Sequence, residues 1–191
     1  MDMVKNKTVK IHRSTIDNLV STAGLFIAIG LVLAAGALFW AHDFIHSQVT
    51  EQLSAQRIFF PEANTPAIDS LNAEDRQAVS MYAGQQLTTG AQAEVFANHY
   101  IRAHLDGIAG GKTYGEVSNL SRANPEDVKL KAQVDQLFKG ETLRGTLLNA
   151  YAFDTMAVIA KMIAIGALIL SGVLLVLSIL GYRHARTPSK K

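Results

Sequence analysis

The sequence predicts an all-α protein in which two transmembrane helices flank an extracytoplasmic up-down helical bundle. Three observations point there. Residues 18–42 and 162–182, 25 and 21 long, contain no charged side chain, and roughly 20 helical residues suffice to cross the hydrocarbon core of a bilayer. The 191-residue chain is 49% hydrophobic and only 18% charged, with mean hydropathy +0.16, whereas about a quarter of residues are charged in soluble domains. Charge is also segregated. Residues 1–20 carry net +2, residues 43–154 carry nine basic against fourteen acidic groups for net −5, and residues 155–191 carry net +5. Lys and Arg beside a span are held on the cytoplasmic side, so both termini are expected inside and the middle outside. A soluble enzyme filling the chain is excluded, and so is intrinsic disorder.

The expected order is a cytoplasmic tail (1–18), a first span (19–41), an extracytoplasmic helical domain (42–154), a second span (155–181) and a cytoplasmic tail (182–191). The expected location is the bacterial cell membrane. Ala35-Gly36-Ala37 has the small-x-small form of a signal-peptide cleavage site, but the apolar run 19–40 exceeds the usual stretch of about 7–15 residues. Retention of the span is therefore expected; cleavage would leave a single-span protein with its domain still outside. The chain has no cysteine, so disulfides, cysteine nucleophiles, iron–sulfur clusters and lipobox-type anchors are ruled out, and the outer domain must rely on its own packing. The short basic tails flank spans and are read as membrane anchors, not as nucleic-acid contacts.

Each span carries a series of small residues spaced 0, 4, 7, 11: Gly30, Ala34, Ala37 and Ala41 in the first, Ala160, Ala164, Ala167 and Ser171 in the second. Small faces let membrane helices approach closely, so both series are expected packing seams, within one protomer or toward a protein partner or second copy. Lys161 lies 22 residues before Arg183, about 33 Å along a helix, which sets it at the outer boundary where a lysine can snorkel. Trp40 and Tyr182 read as interface anchors.

Outside the spans the elements follow from caps. The first helix can continue through 42–57, because nothing breaks it before Pro61. Ile58-Phe59-Phe60-Pro61 reads as an extended turn. A second helix is expected over 73–86, with Asn72 as N-cap and Asp75 at N3. Thr89-Gly90-Ala91-Gln92 is a capping box opening a third helix to about Asp106, ended by Gly107, Gly110 and Gly111. Thr113-Tyr114-Gly115-Glu116 is another capping box, opening a short helix. Asn124-Pro125-Glu126-Asp127 predicts the start of the last helix, with proline at N1. Four main helices joined by short loops imply the bundle. Gly140 and Gly145 within the last helix mark a bend or a close contact.

Sites of chemistry are scarce. Gly107-Ile108-Ala109-Gly110-Gly111-Lys112-Thr113 is one residue short of a phosphate-binding loop and follows a helix instead of a strand, so it reads as a cap and linker. His42 and His46 share a helix face near Asp43, a conceivable metal pair, while His99 and His104 lie on a different helix about 15–20 Å away. A pH-sensing role for these histidines is open as well. Acidic residues are expected on solvent faces, with no inward pair suited to acid–base catalysis, and no G-x-S-x-G motif occurs. No catalytic, cofactor-binding or metal-ligating residue is therefore nominated, no cofactor is expected, and the protein is not expected to be an enzyme.

Gln56-Arg57-Ile58-Phe59-Phe60-Pro61, Tyr82-Ala83-Gly84-Gln85-Gln86, Gly110-Gly111-Lys112-Thr113-Tyr114 and Gly140-Glu141-Thr142-Leu143-Arg144-Gly145 together resemble a family of two-span actinobacterial membrane proteins with an extracytoplasmic helical domain. The resemblance implies plasma-membrane placement and brings no activity or site residues. The expected function is that of an interaction or structural protein, or an accessory subunit of a membrane complex, with lipid and a protein partner or second copy as contacts. An extracytoplasmic sensor signalling through a partner is the alternative, and an outward-facing hydrolase a remote one.

Overall fold

A computed structural model describes residues 13–186; Lys5, Lys7, Lys10, Lys190 and Lys191 of the expected basic tails lie outside the described residues. Helix covers 82% of these residues and no strand forms among them, which establishes an all-α fold. In chain order the helices are α1 (Arg13–Ala55), α2 (Pro66–Asp69), α3 (Ala73–Ser80), α4 (Gly90–Val95), a π-helical segment (Phe96–Ile101), α5 (Arg102–Ala109), α6 (Tyr114–Ala123) and α7 (Val128–Ala185). Two compact units result: the described residues up to Ala41 and from Ile159 onward form one, and His42–Val158 the other.

The first unit is a pair of helices, both long and apolar enough to cross a membrane. Its seam is built from small residues. Ser21, Ala28 and Ala35 of α1 and Ala164, Ser171 and Ser178 of α7 are buried, and Ser171 Oγ donates to the Ala28 carbonyl at 3.0 Å. A Cβ on Gly24 would sit 2.6 Å from Ser178 Oγ, and one on Gly181 would collide with Ser21 Oγ, so the two Gly–Ser pairs set how closely the backbones approach. Thr22 Oγ1 donates to the Asn18 carbonyl at 2.7 Å, which leaves Tyr182 to donate its hydroxyl proton to Thr22 at 2.8 Å. Of the two expected series, the second meets the seam: Ala164 and Ser171 are buried, Ala160 and Ala167 half-buried. The first does not. Gly30, Ala34 and Ala37 are exposed, Ala41 is half-buried, and a Cβ on Gly30 would meet nothing within 4 Å. The physical reason is rotation: 28 and 30 differ by about 200° around a helix, so a seam through Ala28 turns Gly30 away.

The second unit has its own core. Val49 and Leu53 of α1 pack with Phe60, Ile68, Leu71, Val79, Leu87, Phe96, Ile101, Leu105, Val117, Leu137 and Leu147. Phe60 is central, with its ring 5.1 Å edge-on from Phe96 and 5.3 Å from Tyr82. The extended segment expected at 58–61 is present and bridges back onto residues 84–87: Phe60 N–H donates to Gln85 O at 2.9 Å, Leu87 N–H to Ile58 O at 2.9 Å and Gly84 N–H to Pro61 O at 3.1 Å. That pairing explains why α3 ends at Ser80 and not at Gln86. Gly84 must adopt φ +70°, a left-handed conformation that suits glycine and cannot continue a helix.

The caps at Asn72, Thr89 and Thr113 form as expected, the last two as reciprocal capping boxes. Glu116 accepts from Thr113 N–H at 2.8 Å and from its hydroxyl at 2.9 Å. The backbone bond, followed by the hydroxyl bond, holds its carboxyl below the ordinary value of 4.5. Gly110, at φ +60°, caps α5, whereas Gly107 lies inside that helix. The start of α7 differs from expectation. Asn124 is the C-cap of α6, residues 124–127 make a turn closed by Asp127 N–H to Asn124 O at 3.0 Å, and the Asp127 carboxylate caps α7 through Leu130 N–H at 3.0 Å. Asn124 and Asp127 are both good N-caps; Asn124 is already committed to ending α6. Gly140 marks a close contact: a Cβ there would lie 3.1 Å from Leu105 Cγ. Gly145 faces open space, and α7 passes both without interruption.

Candidate functional site

Three places in the His42–Val158 unit gather polar or concave chemistry. The first ties three helices together. Asp154 of α7, only 9% exposed, accepts from His46 Nδ1 of α1 at 2.7 Å through Oδ1 and from Gly90 N–H, the first residue of α4, at 3.1 Å through Oδ2. Gly90 is required here, because a Cβ would stand 2.7 Å from Oδ2 and 3.0 Å from Cγ of Asp154. One turn back on α1, His42 donates from Nδ1 to the Ala157 carbonyl at 2.9 Å, since a carbonyl can only accept. Its ring stacks on His46 with centroids 5.8 Å apart, and Nε2 lies 3.9 Å from Asp43.

The second place is a polar cleft beside the π-helical segment, about 470 Å³ in volume and lined by Glu74, Asp75, Glu94, Asn98, His99 and Arg102 among others. His99 Nδ1 donates to Asp75 Oδ1 at 2.7 Å, while Asn72 Nδ2 donates to the other Asp75 oxygen at 2.6 Å. Asn98 bridges: its amide donates to Glu94 at 2.8 Å, and its oxygen accepts from Arg144 Nη2 of α7 at 3.1 Å. Arg144 Nε is buried without a hydrogen-bond partner among the described residues. A π turn shifts the side chains after it around the helix, and such turns recur at functional sites. Here it keeps Phe96, Ala97 and Ile101 in the core while Asn98 and His99 stay half-buried.

The third place is a groove between α1 and α7, about 400 Å³, lined by Phe44, Ile45, Gln48, Val49, Gln52, Leu53, Gln56, Thr146, Asn149, Ala150 and Phe153. None of these side chains is charged.

The histidines are thus brought together as the pair His42/His46 and separated from His99, which has its own carboxylate, and from His104, which donates to the Tyr100 carbonyl at 2.9 Å. A carboxylate on Nδ1 fixes a histidine tautomer and orients Nε2, as in histidines that bind metals or move protons. Among the described residues no group of three or more His, Cys, Asp or Glu is placed to hold a metal. The expectation that acids occupy solvent faces is corrected at Asp154 and Asp75, which turn inward because each has a histidine and a helix-capping or backbone donor to satisfy it. The sequence held a signal for Asp154: it follows Leu147 by seven and precedes Ala157 by three, so it falls on the buried face of α7. Nothing in the sequence marked Arg144 or the amide-lined groove. The chain has no match among protein-family models, curated proteins or solved structures.

Proposed function

We propose that the chain is a two-pass protein of the bacterial cell membrane, with both termini cytoplasmic, that presents its helical domain outside as an interaction module or accessory subunit of a membrane complex. The observation that carries this reading is the exposure of the apolar helices. Only 11% and 17% of their most hydropathic windows are buried, and Phe26, Leu33, Leu19, Met162 and Ile169 are each at least 65% exposed. Core helices of soluble proteins bury such residues; a lipid environment covers them. The +2, −5, +5 charge blocks support the orientation. The exposed Gly30, Ala34 and Ala37 face is open to a partner or second copy within the membrane. The test is alkaline carbonate extraction of membranes followed by crosslinking in intact cells. The protein should stay in the pellet and crosslink to a membrane protein or to itself; release into the supernatant refutes the reading. A second reading, an extracytoplasmic sensor acting through a partner, is favoured by the uncharged groove between α1 and α7.

A further inference from the structure

We infer that the outer domain is seated in the headgroup layer of the outer leaflet, through the end of the His42–Val158 unit at which α1 and α7 pass into the spans. The inference rests on the membrane reading above. The surface is made by residues 42–46, 88–91 and 151–158. Phe44, Phe153 and Met156 are each more than half exposed there, and Tyr151 and Val158 about two-fifths. Asp154 draws the 88–91 segment to this level by accepting from Gly90 N–H at 3.1 Å. Thr88 and Thr89 are then half-buried and Ala91 exposed.

Charge sets this surface apart. Residues 77–93 contain no Asp, Glu, Lys or Arg, residues 44–50 contain none, and residues 145–160 contain only Asp154, which turns inward to His46 and Gly90. Residues 128–144, at the other end of α7, carry six such charges in seventeen positions. An apolar surface continuous with the spans marks a membrane contact. The heights agree. Asp17 and His184 stand 4.0 Å apart at the inner end of the helix pair. Phe44 lies 27 residues beyond Asp17 on α1, and Met156 lies 28 before His184 on α7, about 40 and 42 Å along a helix. A bilayer measures about 40–45 Å with its headgroup layers and about 30 Å without them. Hydrocarbon therefore ends below this surface and headgroups meet it. Exposed aromatic rings suit that layer. It also accommodates Asp43, the one exposed acid among these residues, which hydrocarbon would not.

Single cysteines in this cysteine-free chain, each carrying a nitroxide, test this with the full chain in bilayers. A nickel-chelating lipid holds the relaxing ion at the headgroups, and a soluble nickel chelate holds it in water. Labels on Phe153→Cys, Met156→Cys and Ala91→Cys should be relaxed severalfold more by the lipid-borne nickel than a label on Val128→Cys. Val128 is three-quarters exposed but lies 25 residues from Phe153 on the same helix, about 38 Å away. The soluble chelate should give the opposite order. Leu33→Cys, in the first span, should respond to oxygen and to neither form of nickel. Phe153→Cys and Met156→Cys that behave like Val128→Cys, with Leu33→Cys still in lipid, overturn the inference and leave the membrane reading standing. Protection of the same two labels from oxygen and from both nickel forms assigns the surface to a protein and overturns it as well. Relaxation of Leu33→Cys by the soluble chelate overturns the membrane reading and the inference together.

Discussion

Gly90→Ala is the most direct probe of how α4 is docked on α7. Gly90 has no positive φ, so alanine is compatible with its backbone and the substitution acts through volume alone. The new Cβ would lie 2.7 Å from Asp154 Oδ2 and 3.0 Å from Cγ, and closer still to Asp154 Cβ. Carbon contacts settle at about 3.5–4.0 Å, so helix backbones must separate by about 1 Å. Asp154 cannot rotate aside without giving up His46 at 2.7 Å or Gly90 N–H at 3.1 Å. Overpacking costs about 1–3 kcal/mol, and a hydrogen bond to a charged group about 1.5–3 kcal/mol when lost. Against this, alanine gains less than about 1 kcal/mol over glycine in a helix. A net loss of about 1.5–6 kcal/mol follows, which for a chain of this size lowers Tm by roughly 3–24 °C. Gly107→Ala is the matched control: it lies inside α5 with nothing within 4 Å of its Cβ, and should raise stability by about 0.5–1 kcal/mol. Thermal unfolding of both variants in one detergent, followed by circular dichroism, decides the matter. A Gly90→Ala protein as stable as Gly107→Ala would refute the close approach of Asp154 to α4.

In intact cells an impermeant thiol reagent should label Ala123→Cys and leave Ser189→Cys unlabelled; the reverse pattern inverts the topology. Gly24→Leu should destabilise the helix pair by about 1–3 kcal/mol through overpacking, because its Cβ would already meet Ser178 Oγ at 2.6 Å. Gly30→Leu, facing open space, should leave unfolding unchanged and reduce only crosslinking to a partner; equal losses in both would sink the assignment of the seam. Glu116, whose carboxyl is held below 4.5 by bonds from Thr113, contributes its cap fully above its unfolded value and loses it as pH falls through the lowered folded value. Its carbon-13 titration midpoint should therefore lie below 4.5 and move only part-way up in Thr113→Val, which keeps the stronger backbone donor; a midpoint at or above 4.5 in the unaltered chain contradicts the box.

What was legible in the sequence was local. Asn72, Thr89 and Thr113 each satisfy orphan amides within three residues of themselves, so cap and partner appear side by side in the chain. The end of α3 was hidden because its cause, pairing of 58–61 with 84–87, joins segments more than twenty residues apart. The site was hidden for the same reason. Asp75 reads as an N3 acid in a cap, and its bond to His99 depends on where the π turn places that ring. Asp154 sits on a buried face that the sequence shows, but its two donors, His46 and Gly90, come from segments 108 and 64 residues away.

The seam of α1 shows how the sequence could have decided between two small faces. Gly30, Ala34, Ala37 and Ala41 make one stripe; Ser21, Gly24, Ala28 and Ala35 make another, and within a single helix neither is privileged. The partner breaks the tie. In α7, residues Ala164, Ser171 and Ser178 recur every seven positions and are buried, the spacing that keeps two helices in register along a seam. Ser21, Ala28 and Ala35 recur at the same interval; the other stripe also recurs at seven through Ala23, Gly30 and Ala37, but it carries no hydroxyl. Antiparallel pairing then sets Ser21 against Gly181, Gly24 against Ser178 and Ala28 against Ser171, so two hydroxyls fill the space a glycine leaves and the third donates to a backbone carbonyl. Ser171, whose hydroxyl reaches the Ala28 carbonyl across the seam, and Ser21 and Ser178, each set against a glycine, mark the face that small size alone leaves open.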